Sequence, residues 1–270
     1  MTRSRDRRVV HDAVPRVVKY LYLTSAIIGP MLAVITHNGT SLIDPISFKN
    51  SSSSLPISSS LECFTNAWSL DNSQLYLANS SSIKRYAPSE SLLEELYRGS
   101  DTVTCLAMNH KSSILFFATA NAVRSLDCTH SPAKVLSSLE PHKSSVTRIS
   151  MSNDGTLLAS VSASAVLVHN LALSSHTQLK GLPSPDANPV TCCLFHQHSR
   201  TRLLLGIGRD IFAYDATRPG SPLKTVRIPG GGDIVGVTAS PFSKTLVAAA
   251  TSNGGVALVD LDKDNGYVTS

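Results

Sequence analysis

Apolar residues in this chain come in short runs that alternate with polar ones at a spacing of two, and polar turn residues separate the runs. The stretch from His142 to Leu171 shows the pattern most clearly. Val146, Ile149 and Met151 open one strand, and Asn153-Asp154-Gly155 supplies turn residues that favour a tight reversal. Leu157, Leu158 and Ala159 begin a second strand that continues through Ser160 and Ser162. Val166 and Val168 alternate in a third, closed by His169-Asn170. Strand, turn, strand, turn, strand in so few residues leaves no room for a crossover helix, so the pairing is antiparallel.

The same order recurs along the chain. Third strands are predicted to end at Leu42-Ile43-Asp44, Tyr86-Ala87, Leu126-Asp127, His169-Asn170, Tyr214-Asp215 and Val259-Asp260. Successive marks lie 40–45 residues apart, the period of a four-stranded propeller blade. A first strand precedes each pair, at Tyr20 to Thr24, Phe64 to Trp68, Val103 to Met108, Val146 to Met151, Val190 to Phe195 and Ile234 to Ala239. These are read as the innermost strands. Outer strands are expected at Ile46 to Lys49, Leu92 to Leu96, Ala133 to Leu136, Thr177 to Leu179 and Leu223 to Arg227. Only Gly266 to Ser270 remain for the last repeat, so Arg8 to Val14 is the candidate for its missing outer strand, closing the ring. A two-sheet sandwich also has short, evenly spaced strands, but it does not impose a repeated internal order. The expected fold is all-β, a propeller of six recognisable blades or an incomplete ring of seven. It comprises a basic amino-terminal arm over 1–15 and a propeller over 16–270. Its approximate repeats are 16–49, 61–96, 101–136, 142–179, 188–227 and 233–270.

Composition narrows the functional classes. The net charge is +5, but Arg3, Arg5, Arg7 and Arg8 sit in the amino-terminal arm, and no basic run follows to mark a nucleic-acid face. Tyr20 to Ile35 is apolar behind this basic start and has the look of a signal anchor. It falls short of about 18 residues, carries Gly29-Pro30 at its centre, and fits two strands and a turn. No membrane segment is expected. Cys63, Cys105, Cys128, Cys192 and Cys193 show no CxxC spacing, so buried reduced thiols on inner strands are expected, with no metal site. Reduced thiols favour the cytoplasm or nucleus.

No motif for catalysis or cofactor binding stands out. There is no Gly-x-Ser-x-Gly elbow, and Gly230-Gly231-Gly232 runs on into Asp233-Ile234-Val235, a strand where a phosphate cradle needs a helix. His196 and His198 could share a metal, but no cysteine or carboxylate is placed to complete a shell, so a solvated turn is expected. Trp68 is expected in the core or lining the channel. The low-complexity segment Asn50 to Ser60 reads as a solvated loop.

The segment 142–171 resembles a WD40 blade, with a leading His142, a Ser-x-Asp-Gly turn, an Ala-Ser strand, and His169-Asn170 in place of the aromatic-acid dipeptide. In such a blade the resemblance implies that the histidine bonds an aspartate in a tight turn and supports a serine and a tryptophan. Here Ala163-Ser164 occupies that hairpin, so the network is expected to be incomplete and His142 to lie in a surface loop. A narrower likeness runs from Leu139 to Pro222, through Pro141-His142-Lys143, Val146-Thr147, Leu158-Ala159-Ser160, Val168-His169, Leu203 to Gly206, Tyr214-Asp215 and Ser221-Pro222. It is similar to the WD-repeat adaptor that targets the γ-tubulin ring complex to centrosomes and spindles. That likeness implies a non-enzymatic scaffold binding other proteins through propeller faces, in the cytoplasm and at the spindle pole. It departs from that family in having six repeats rather than seven. The competing classes are a ubiquitin-ligase substrate receptor, a ribonucleoprotein assembly factor and a propeller-based enzyme.

Overall fold

All the elements described are β-strands. The computed structural model describes residues 65–263 apart from 70, 72, 88, 89, 91 and 185–187, together with the backbone of four further strands at 18–22, 32–36, 39–43 and 267–269. The first sheet holds β1 (Val18–Tyr22), β2 (Leu32–Thr36) and β3 (Gly39–Ile43). The second holds β4 (Thr65–Trp68), β5 (Leu75–Ala78), β6 (Ser82–Ala87) and β7 (Leu92–Arg98), and the third β8 (Val103–Asn109), β9 (Ile114–Thr119), β10 (Ala122–Asp127) and β11 (Lys134–Ser138). The fourth is β12 (Val146–Met151), β13 (Leu157–Ser162), β14 (Val166–Asn170) and β15 (Ser175–Gln178). β16 (Val190–Phe195), β17 (Arg202–Ile207), β18 (Asp210–Asp215) and β19 (Lys224–Arg227) form the fifth. β20 (Ile234–Ala239), β21 (Leu246–Thr251), β22 (Val256–Asp260) and β23 (Tyr267–Thr269) form the sixth. Each sheet is an antiparallel meander in chain order.

Ile43, Tyr86, Leu126, His169, Tyr214 and Val259 all fall in third strands, as the period requires. Five of them face equivalent second-strand residues: Leu75 opposite Tyr86, Leu115 opposite Leu126, Leu158 opposite His169, Leu203 opposite Tyr214 and Val247 opposite Val259. The repeat is therefore one of register as well as length.

First strands lie side by side from β4 through β8, β12 and β16 to β20. Threonines stitch them together. Thr104 Oγ1 donates to Val146 O at 2.7 Å, Thr191 Oγ1 to Ile234 O at 2.5 Å, and Arg148 Nε to Thr191 O at 3.1 Å. The starts of β8, β12 and β20 are also tied to the hairpin of the preceding sheet, Val103 N to Ser80 O at 3.2 Å, Val146 N to Ala120 O at 2.7 Å and Ile234 N to Gly208 O at 2.7 Å.

The core lies between the sheets. Alternate residues of a second strand face opposite neighbours, so these strands read as unbroken apolar runs. Leu203, Leu205 and Ile207 pack with Leu157, Ala159 and Val161 of the fourth sheet. Leu204, with Ile211 and Ala213, packs with Ile234, Val247 and Ala249 of the sixth. Close approach explains the glycine in this strand: a Cβ at Gly206 would stand 2.4 Å from Cys192 Sγ and 2.8 Å from Ile234 Cγ2. Gly206→Ala is expected to cost about 1–3 kcal/mol through overpacking, read as a shift in the urea midpoint at unchanged slope.

The boundaries differ from expectation mainly at the outer strands. β11 and β15 are exposed at every position, so they carry no apolar alternation that would fix their phase. The outer place of the sixth sheet is taken by β23, paired with β22. The expected closing strand at Arg8 to Val14, the outer strand at Ile46 to Lys49 and the loop at Asn50 to Ser60 lie outside the described residues. At the two ends of the apolar stretch Tyr20 to Ile35 the backbone is strand, in β1 and β2. Among the described residues no helix is long and apolar enough to cross a membrane.

Candidate interaction faces

His142 is buried, not part of a surface loop, with 4% of its area exposed. Its Nδ1 lies 2.8 Å from Ser162 Oγ and its Nε2 lies 2.7 Å from Ser160 Oγ. Ser160 Oγ in turn sits 2.8 Å from His169 Nε2. Ser162 therefore takes the place of the absent turn aspartate, and His169 that of the aromatic residue. Ser144 and Ser164 extend the hydroxyl cluster, 3.1 Å apart. The correction has a physical cause. An imidazole needs a hydrogen-bonding partner when buried, not specifically a carboxylate, and serine hydroxyls meet that need at both nitrogens. The network occupies the fourth sheet's face toward the third, on the same strand face as Leu158.

Burial pushes the His169 imidazole down from 6.5 to about 4, helped by the neighbouring His142 and His176, and burial lowers His142 as well. Below its ordinary pKa the unfolded chain takes up a proton that the folded chain refuses. The stabilising difference is thus complete above pH 6.5 and is lost as the pH falls toward 4. For His169 the loss is about 3 kcal/mol. Urea unfolding at pH 7 and pH 5 should show about 2 kcal/mol of it, since pH 5 still lies above the folded value of about 4, and His169→Phe should flatten the slope across that window.

The turns joining first to second and third to fourth strands share one end of the sheets. Asp127, Asn170, Asp215 and Asp260 stabilise the latter turns, each accepting a backbone N–H two residues on: Thr129, Ala172, Thr217 and Asp262. The acid that closes most third strands is thus a turn-former. On this rim Phe242 is 95% exposed, Leu173 74% and Leu223 65%. Between the fourth and fifth sheets a shallow groove of about 240 Å³ is lined by Asn153, Asp154, Gln197, His198, Ser199 and Arg200. Arg200 Nε reaches Asp154 Oδ2 at 2.5 Å across it. His198 Nε2 lies 3.0 Å from Pro241 O, which links the groove to the Phe242 turn.

The turn carrying His196 and His198 is only half solvated. His198 is exposed, but His196 is fully buried, and its Nδ1 accepts the His198 N–H at 3.3 Å. His196 here acts as Ser240 does in the sixth sheet, where Oγ accepts the Phe242 N–H. Among the described residues no group of three His, Cys, Asp or Glu is placed to hold a metal ion. Trp68 is buried. Cys105 and Cys192 are buried on first strands, and burial pushes their thiols up to about 12 and about 11. Cys128 is buried just beyond β10 rather than on an inner strand. Cys193, on β16, is partly exposed by surface area, although its thiol is also raised by burial. Cys63 lies outside the described residues.

A family model described as WD domain, G-beta repeat matches residues 133–168. The match runs from the outer strand of the third sheet into the third strand of the fourth, takes in His142 and Ser160, and stops one residue before His169. No curated protein sequence matches the chain. Among solved structures, the chain is similar to one in the crystal structure of the mitotic checkpoint complex, with a TM-score of 0.71 at 15% identity, covering 96% of this chain and 83% of that one. The fold is that of a WD40-like propeller.

Proposed function

We propose that this protein is a non-enzymatic scaffold that docks partner proteins on the rim carrying Phe242, Leu173 and Leu223. The observation that carries the reading is the exposure of these three large apolar side chains at the turn end of adjacent sheets. Short turns held by a rigid sheet array make a docking surface that needs little ordering on binding. The groove beside Arg200 adds polar contacts to the rim. The finer reading is recruitment of the γ-tubulin complex to centrosomes and spindle poles, placing the protein in the cytoplasm and on the spindle. It rests on the likeness over Leu139 to Pro222, and a relative in fold that belongs to a mitotic assembly is consistent with it. Affinity capture of the tagged chain from dividing cells should recover γ-tubulin complex components, and Phe242→Ala combined with Leu223→Ser should lose them while leaving the circular dichroism spectrum unchanged. Recovery of cullin adaptors or RNA in their place would overturn the spindle reading and leave the scaffold reading standing.

A further inference from the structure

Four serines in this chain are followed by proline: Ser131, Ser184, Ser221 and Ser240. Three of them are tied down. Ser131 Oγ donates to Glu94 Oε1, in a carboxylate that also pairs with Arg85. Ser240 is half-buried just beyond β20; its Oγ accepts the Phe242 N–H at 3.2 Å, and its own N–H donates to Leu246 O at 2.9 Å. Ser184 is exposed, but its carbonyl accepts the Asn188 N–H at 3.1 Å, which closes a turn over the proline.

Ser221 differs from all three. It sits in the turn 216–223 between β18 and β19, longer than any other described turn between a third and a fourth strand. The residue is exposed, and among the described residues neither its hydroxyl nor its N–H has a hydrogen-bond partner. From Pro219 to Pro222 the backbone bond present is local, Gly220 N–H to Arg218 O at 2.8 Å, and the two prolines have no N–H to give. An enzyme that draws a substrate segment out across its active site works most easily where few bonds must open. The turn rests on bare backbone: Gly181, at φ +70°, lies against it, and a Cβ placed there would stand 3.4 Å from Ser221 Cα and 3.6 Å from its Oγ. Lys180, next to that glycine, is exposed, and Arg218 and Lys224 stand three residues to either side of Ser221. A phosphate on Ser221 therefore enters a neighbourhood of cations, whereas on Ser131 it would meet the Glu94 carboxylate.

The geometry points to Ser221 as the residue that a proline-directed protein kinase modifies in this chain. Such a kinase selects a serine followed by proline, whose ring fixes φ and leaves no N–H to be satisfied. In the transfer Ser221 Oγ attacks the γ-phosphorus of ATP and forms the new P–O bond. The bond to the β,γ-bridging oxygen breaks, ADP leaves, and the hydroxyl proton passes to the kinase's catalytic aspartate. The phosphate adds a charge of about −1.5 to −2 close to Leu223, the next residue but one, an apolar member of the docking rim that is 65% exposed. Charge placed at an apolar contact resists desolvation, so phosphorylation releases partners held on that rim. The release rests on the scaffold reading; the site does not.

The test uses a proline-directed kinase that labels a synthetic peptide around Ser221, with matching peptides for the other three Ser-Pro sites. The purified full chain is incubated with this kinase and MgATP, and phosphate is mapped by mass spectrometry. Relative to its own peptide, Ser221 in the folded chain should be labelled at least about tenfold faster than Ser131, Ser184 or Ser240, because those sites must first open. Ser221→Ala should remove the signal without changing the melting temperature. Ser221 left unmodified in the chain, or labelled no faster than the other three, would overturn the site. Phosphorylated and unmodified tagged chains are then compared by affinity capture from dividing cells with phosphatases inhibited. Proteins lost by Phe242→Ala combined with Leu223→Ser should also be lost on phosphorylation, and their retention would overturn the release. If the double variant loses nothing, the rim reading fails, while the mapped phosphate still decides the site.

Discussion

Ser160→Ala is expected to destabilise the protein by about 2–4 kcal/mol, since an orphaned buried polar group costs about 1–3 kcal/mol and this change orphans two. Ser160 Oγ is the shared partner of His142 Nε2 and His169 Nε2, at 2.7 and 2.8 Å, and both rings are almost wholly buried. For a chain of this size each kcal/mol is worth about 2–4 °C, so the melting temperature should fall by roughly 5–15 °C. The double variant Ser160→Ala with His169→Phe should cost less than the sum of its parts, because replacing partners together leaves fewer groups unsatisfied. A loss below about 0.5 kcal/mol for Ser160→Ala would place the substitution among neutral surface changes and contradict the network.

Leu203→Ala should be comparably damaging, at about 2–5 kcal/mol for a fully buried leucine. Leu203 is 0% exposed and packs with the inward residues of the fourth sheet, opposite Tyr214 in its own. Because it sits at a junction between sheets, the change loosens two blades at once. Leu258→Ala makes the informative contrast. In the isolated chain it should stay within about 1 kcal/mol, because Leu258 is 41% exposed. Chemical unfolding of the two variants side by side therefore reports which faces are covered.

The period, the strand order and the third-strand marks were legible in the sequence because buried strands must alternate or run apolar, and six repeats write that constraint six times. Outer strands such as β11 and β15 were placed only approximately, since residues exposed on both faces leave no such trace. The burial of His142 was hidden for a different reason. The expected carboxylate partner is absent, and its substitute, Ser162, is among so many serines that its identity carries no signal. A cue did exist: His169 stands where the other sheets place Tyr86, Leu126, Tyr214 and Val259, so a polar residue there demands a buried partner. The exposure of Val256 and Leu258 on the sixth sheet could not be read at all. Val256 and Leu258 are spelled like the buried residues of the fifth sheet, and only exposure tells them apart.

The account's central claim is that successive four-stranded sheets pack face to face through doubly covered second strands. Hydrogen exchange resolved by residue tests this most directly, because protection follows the stability of each opening unit. The account predicts protection maxima recurring at Leu75–Ala78, Ile114–Thr119, Leu157–Ser162 and Arg202–Ile207, with β11 and β15 exchanging fast. Protection without that recurrence, or as strong in β11 and β15 as in β9 and β13, would contradict it.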